Sequence, residues 1–115
     1  MKIIVGGRRS GRTTELIKKS AETGIYILVS DHFRARAIVD QARNMGYLIP
    51  FPVTVHEYLN SRTHFAGSSI LRDGMYMDDV EDIIEAVFPN IHFEIVTCRN
   101  DHDVTELPEP EWWKK

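Results

Sequence analysis

Lys2-Ile3-Ile4-Val5-Gly6-Gly7-Arg8-Arg9-Ser10-Gly11-Arg12-Thr13-Thr14 is the stretch on which the fold turns. Its first four residues are a short apolar run ended by two glycines, the pattern of a buried strand stopping at a turn. From Thr13 to Ala21, Leu16, Ile17 and Ala21 recur at helical spacing, with Glu15 early, Lys18-Lys19 late and Gly24 as the stop. Between strand and helix, Gly6 to Thr13 fits the phosphate-loop pattern G-x-x-x-x-G-K-[ST] at every fixed position except the lysine, which is Arg12. The spacing has a physical reason. Glycines let the backbone curl into a concavity of N–H donors, the helix adds its positive end, and the cation neutralises phosphate charge.

By average residue usage the relaxed pattern arises by chance in on the order of 1% of chains this long. The candidate phosphate-binding residues are Gly6, Gly7, Arg8, Arg9, Ser10, Gly11, Arg12, Thr13 and Thr14. Arg12 would contact the β- and γ-oxygens, and the Thr13 hydroxyl would meet a Mg²⁺ ion. A planar guanidinium is bulkier than the usual ammonium yet remains a strong bidentate phosphate ligand, so binding can survive where catalysis fails. The alternative is a Gly-rich turn with no ligand, its Arg8 and Arg9 ordinary surface charge.

Outward from the loop, Ile25-Tyr26-Ile27-Leu28-Val29 is a continuous apolar run, as in a parallel strand covered on both faces. Ser30 or Asp31 can cap a second helix with Phe33, Ala37, Ile38, Ala42 and Met45 inward and Gly46 as its stop. Pro52 to Val55 predicts a short strand, Glu57-Tyr58-Leu59 a helical turn, and Ser61 to Ser69 a loop. Val80, Ile83, Ile84, Val87 and Phe88 make an amphipathic helix stopped by Pro89, and Ile91 to Cys98 reads as a last strand. Its opening residues alternate apolar and polar, which suits an edge better than a sheet centre. Strands alternating with helices predict an α/β domain of three layers, with a mainly parallel sheet of four to five strands over residues 1–98. Residues 99–115 read as an acidic extended tail ending in Trp112-Trp113.

A second motif lies before the amphipathic helix. In Met75-Tyr76-Met77-Asp78-Asp79 an apolar strand delivers two carboxylates, the Walker B pattern. Asp78 would join Thr13 around the metal, and Asp79 would orient or activate water, with Arg12 as its catalytic partner at the phosphates. The alternative has Asp79 capping the helix and Asp78, Glu81, Asp82 and Glu85 forming a solvated face.

Together these segments resemble the small phosphate-loop, ATPase-like proteins of bacteriophages, and the resemblance covers residues 1–98. The chain is also similar to the N-terminal part of a superfamily 1 helicase motor core of RecA-like type. There Ile27-Leu28-Val29-Ser30 matches the strand after the first helix, Val53-Thr54-Val55-His56-Glu57-Tyr58-Leu59 the T-x-H segment, and Ile95-Val96-Thr97 the strand after Walker B. The resemblance implies binding of ATP or another nucleoside triphosphate with Mg²⁺ and slow hydrolysis. It also implies that the Ile91 strand lies between the Lys2 and Met75 strands; the short apolar stretch Ile3-Ile4-Val5, too brief for a signal segment, gives a cytoplasmic location as the expectation, the host's if phage-encoded. Arg12 stands for the family's Lys, Asp79 for its usual Glu, and no second motor lobe follows, so translocation by this chain alone is not expected. The alternative function is a non-catalytic, degenerate phosphate-loop protein that binds a host or phage partner, with the tail tryptophans as anchor. A nucleotide kinase ranks last, because no Arg-rich lid is visible.

Composition narrows the remaining classes. At 115 residues with 43% hydrophobic and 27% charged content, one packed domain is expected. Residues 1–50 carry nine Lys or Arg against four Asp or Glu, and residues 51–115 five against thirteen, a basic half joined to an acidic one. Cys98 is the sole cysteine, which excludes an internal disulfide, and is expected to be a small buried hydrophobe. The five histidines include no i, i+4 pair with a carboxylate, so a zinc hydrolase has no support, and no G-x-S-x-G elbow occurs. Arg34, Arg36 and Arg43 could touch nucleic acid from the second helix, but a net charge of −3 favours solvated helix charge. No apolar run is long enough to span a membrane.

Overall fold

A computed structural model describes residues 1–7, 10–61, 65 and 68–108. Strand β1 (Lys2–Val5) leads through the glycine loop into α1 (Arg12–Thr23), and β2 (Ile27–Val29) leads into α2 (His32–Asn44). Strand β3 (Val53–Thr54) runs directly into α3 (Val55–Asn60), and α4 (Ser69–Asp73) precedes β4 (Tyr76–Met77) and α5 (Val80–Val87). The last element is β5 (Asp103–Glu106).

β2 is the structural axis because its three residues are all buried and point alternately to two cores. Ile27 and Val29 pack with Ile17 of α1 and Ala35, Ile38 and Ala42 of α2. Leu28 faces the other way, onto Val53, Val55, Ile70 of α4 and Ile83 of α5. At roughly 25 cal/mol per Å² of apolar surface removed from water, these two clusters are the main source of stability. β3 and β4 flank β2 in parallel, in the order β3-β2-β4, with Leu28 opposite both Val53 and Met77. The strand-after-helix pattern read from the sequence therefore gives an α/β protein with parallel ladders.

The sheet is smaller and divided. Instead of one sheet of four to five strands, the described residues form a three-stranded sheet and a separate two-stranded one, β1-β5. The expected strand from Ile91 to Cys98 does not form; residues 91–100 are irregular and exposed. The alternation supplies the reason: a central strand would bury His92 and Glu94 on one face, a cost with no partner to offset it. In the structure these two face each other in solvent, 3.9 Å apart. Cys98, expected inside, is exposed within the same irregular segment.

The stretch read as a tail supplies β5, parallel to β1 with Ile3 opposite Val104 and Ile4 opposite Thr105. Trp112 and Trp113 lie outside the described residues. On α2, Ile38 and Ala42 are buried and Met45 packs against the core, as expected, but the face continues through Ala35, while Phe33 is 89% exposed and Ala37 is exposed. The loop expected to end at Ser69 closes into α4, whose N-terminus is capped by the Ser68 hydroxyl accepting from the Ile70 N–H. Among the described residues no helix is long and apolar enough to cross a membrane.

Candidate functional site

The loop is shaped by backbone demands that only glycine meets. Gly11 takes φ 96°, left-handed, immediately before α1, and a Cβ on Gly6 would collide with the Ser10 side chain and press on Leu107 Cβ at 3.3 Å. Ser10 N–H donates to Gly7 O at 3.2 Å, closing the turn, and Leu107 N–H donates to Val5 O at 2.8 Å, so the end of β5 braces the exit of β1. The first helical bond of α1 is Glu15 N–H to Gly11 O at 3.0 Å. The N–H groups of Arg12, Thr13 and Thr14 consequently have no acceptor among the described residues. Ser10 Oγ is buried without a hydrogen-bond partner. Amides with no acceptor among the described residues, a buried hydroxyl and a helix N-terminus are the kinds of donor an anion takes. Arg8 and Arg9 lie outside the described residues.

β2 and β4 are parallel neighbours, so the residues that follow them lie at one edge of the three-stranded sheet. Asp78 follows β4, with its N–H donating to Leu28 O at 3.1 Å, and its carboxylate is 3% exposed. Thr13, at the start of α1, donates to Asp78 Oδ1 at 3.2 Å across 65 positions of sequence. The two residues expected to share a metal are thus brought together. The Asp79 carboxylate lies 4.0 Å from the Arg12 guanidinium, so the expected catalytic pair is also adjacent. Asp79 occupies the N-cap position of α5 with φ 65°, its carbonyl accepting from Ile83 N–H at 3.2 Å, but its side chain makes no capping bond. Left-handed backbone at a non-glycine residue costs of order 1–3 kcal/mol and tends to persist at functional sites.

The residue that sequence reading assigned to solvated charge is Arg34. It sits in the first turn of α2, where Asp31 Oδ1 accepts its backbone N–H at 2.8 Å. Its side chain reaches the site: Nε and Nη2 donate to Asp78 Oδ2 at 3.0 and 2.8 Å, and Nη2 donates to Thr13 Oγ1 at 2.7 Å. A signal for it was present. A cation in the first turn of a helix opposes the helix dipole, and α2 has no acid there, so Arg34 needs a compensating partner. Arg36 is exposed and Arg43 faces Asp40 at 4.0 Å, so neither joins the site.

The fit of Mg²⁺ can be tested on these contacts. Thr13 and Asp78 offer the hard oxygen donors such an ion takes. However, the position between them is served by a guanidinium that bonds both, and a divalent ion there would stand against a fixed positive charge. The arrangement as it stands does not fit the metal. Among the described residues there is no cluster of three or more His, Cys, Asp or Glu side chains placed to hold one elsewhere.

A separate cleft of about 440 Å³ opens between the start of α2 and α5, lined by Ser30, Asp31, Asp82 and Glu85. Its carboxylates would repel phosphate. Asp82 carries a raised pKa, caused first by desolvation and then by the neighbouring charge of Asp79. No protein-family model matches the chain, and no curated protein or solved structure shows significant similarity to it.

Proposed function

We propose that the protein binds the polyphosphate of a nucleoside triphosphate in the loop from Gly6 to Thr14, ATP being the expected nucleotide. The single observation that carries this reading is the Thr13–Asp78 hydrogen bond, which joins the last fixed position of the loop pattern to the acid ending an apolar strand 65 residues later. An uncommon loop pattern and an acid-ended strand that would be weak evidence alone converge on one point. The open amides of α1 and the Gly6 and Gly11 backbone requirements support the same reading. On this reading the fold is of three-layer, phosphate-loop NTPase type, resembling the bacteriophage ATPase-like proteins. β2, covered on both faces, is its centre. Backbone N–H groups hold the phosphates, Arg12 contacts the β- and γ-oxygens, and Asp79 orients a water for slow hydrolysis.

The test is thermal. Millimolar ATP should raise the melting temperature, with Thr13→Ala weakening the rise; a ligand at 100 times its Kd adds about 2.7 kcal/mol of stability. No rise at millimolar nucleotide overturns the proposal.

One observation favours a second reading, a non-catalytic interaction protein: Phe88, Ile91, Phe93, Ile95 and Val96 form an exposed apolar stretch. Phosphate release separates the two, because binding without turnover that Arg12→Lys does not restore would favour interaction over catalysis.

A further inference from the structure

We infer that the Arg34 guanidinium is the resident cation of this site and that polyphosphate binds here without a divalent metal ion. The inference rests on the nucleotide reading above and names what that site requires of its ligand: an anion free of metal, whether nucleoside triphosphate or inorganic tripolyphosphate.

A divalent ion in a phosphate loop has three tasks: to neutralise the strand carboxylate, to fix the loop hydroxyl, and to bond phosphate oxygens. Arg34 performs the first two. Its Nε and Nη2 donate to Asp78 Oδ2 at 3.0 and 2.8 Å, and Nη2 donates to Thr13 Oγ1 at 2.7 Å. For the third it has capacity left. The two N–H groups of Nη1 have no acceptor among the described residues, and the side chain is 37% exposed. A guanidinium presents five N–H groups in one plane, so it can hold a carboxylate along one edge and a phosphate oxygen along another.

Asp78 is correspondingly committed. At 3% exposure, its Oδ2 accepts both Arg34 bonds and its Oδ1 the Thr13 hydroxyl. A metal ion would have to displace a charge-assisted pair from a nearly buried carboxylate. Arg34 also stands in the first turn of α2 against the helix dipole. The contacts to Asp78 and Thr13 account for a cation in that position. Because a guanidinium carries one charge where Mg²⁺ carries two, the remaining phosphate charge falls to Arg12 and the open amides of α1.

The experiment is calorimetric titration of the full chain with ATP and, separately, with inorganic tripolyphosphate, each in excess EDTA and in excess MgCl₂. The Kd for ATP should agree within about threefold between the two buffers, and tripolyphosphate should also bind in EDTA, since the contacts are to phosphate. Arg34→Met should raise the Kd in EDTA by about tenfold or more and make binding respond to MgCl₂, and Arg34→Lys, which keeps the charge but not the planar fork, should restore only part of the EDTA binding. If ATP binds the unaltered protein more than about tenfold tighter with MgCl₂ than with EDTA, the inference falls and the nucleotide reading stands. If ATP but not tripolyphosphate binds in EDTA, the inference also falls. Absence of binding in both buffers overturns the nucleotide reading itself. The arms on the unaltered protein keep the test decisive even if Arg34→Met fails to fold.

Discussion

The three-stranded sheet and the two-stranded one differ in what covers them, and the contrast is sharpest between the apolar strands β2 and β1. β2 is buried along its whole length between two sets of helices, whereas β5 is exposed at all four residues and β1 is only half-covered. Apolar content does not decide this. Lys2-Ile3-Ile4-Val5 is nearly as apolar as Ile27-Leu28-Val29, but Ile27 and Val29 face α1 and α2 while Leu28 faces α3, α4 and α5. The difference teaches where the site gets its rigidity. The loop leaves the weakly covered strand, but Thr13 is carried by α1, whose Ile17 belongs to the β2 core, and Asp78 follows β4, which is hydrogen-bonded to β2. The site is therefore held by the well-packed half although its loop issues from the other.

The strongest way to break this comparison is to truncate matched side chains. Ile27→Ala, at a fully buried position, should cost about 3 kcal/mol, within the usual 2–5 for such a deletion. Val104→Ala, on a side chain 58% exposed, should cost well under about 1 kcal/mol. Chemical denaturation of both variants measures the contrast, and equal losses would show that β1 and β5 carry core stability after all.

A smaller effect sharpens how β5 serves the loop. Leu107→Pro removes the N–H that donates to Val5 O at 2.8 Å, next to the point where Leu107 packs on Gly6. The loss should be about 1 kcal/mol, the net worth of one hydrogen bond. The helix signal in circular dichroism should be unchanged, but the ATP-induced rise in melting temperature should shrink. An unaltered ATP response would mean that the loop holds its shape without β5.

Legibility from sequence follows the same division. The loop, its flanking strand and helix, and the acids after β4 were readable, because glycine conformation, apolar periodicity and the position of charge at a strand end are local signals. The start of α3 carries a local signal that was missed, since the strand was expected to run on to Val55: Thr54 and Glu57 form a reciprocal capping box, with Glu57 N–H to Thr54 Oγ1 at 3.1 Å and Thr54 N–H to Glu57 Oε1 at 3.2 Å. What could not be read was pairing. Whether Ile91 to Cys98 or Asp103 to Glu106 joins β1 depends on which partner leaves fewer buried polar groups, a comparison between distant segments that neither segment contains. Arg34 was missed for a related reason. Its role is defined by Asp78, 44 positions away, and by the adjacency of β2 and β4 that only the folded sheet supplies.

The smallest expected effect lies at the rim of the site, where charge in α5 meets the well-packed half. Asp82 has its pKa raised above the ordinary value near 3.8 by desolvation first, then by Asp79 and Glu85, with Arg34 opposing. The folded protein therefore holds this proton more tightly than the unfolded chain. Its contribution favours folding fully below about pH 3.8 and is lost as pH rises through the raised folded value; above that window the ionised carboxylate works against the fold. Asp82→Asn should thus unfold at slightly higher denaturant than the unaltered protein at pH 7, by less than about 0.5 kcal/mol for a largely exposed group, and the gap should close as pH approaches that value. A denaturation series from neutral to acid pH reads both features. The competing term is the attraction of Asp82 to the N-terminus of α5, which the substitution also removes. If the variant is less stable at pH 7, that attraction outweighs the repulsion from Asp79, and the acids around Asp78 are better described as a helix-stabilising cluster than as charge crowded against a buried carboxylate.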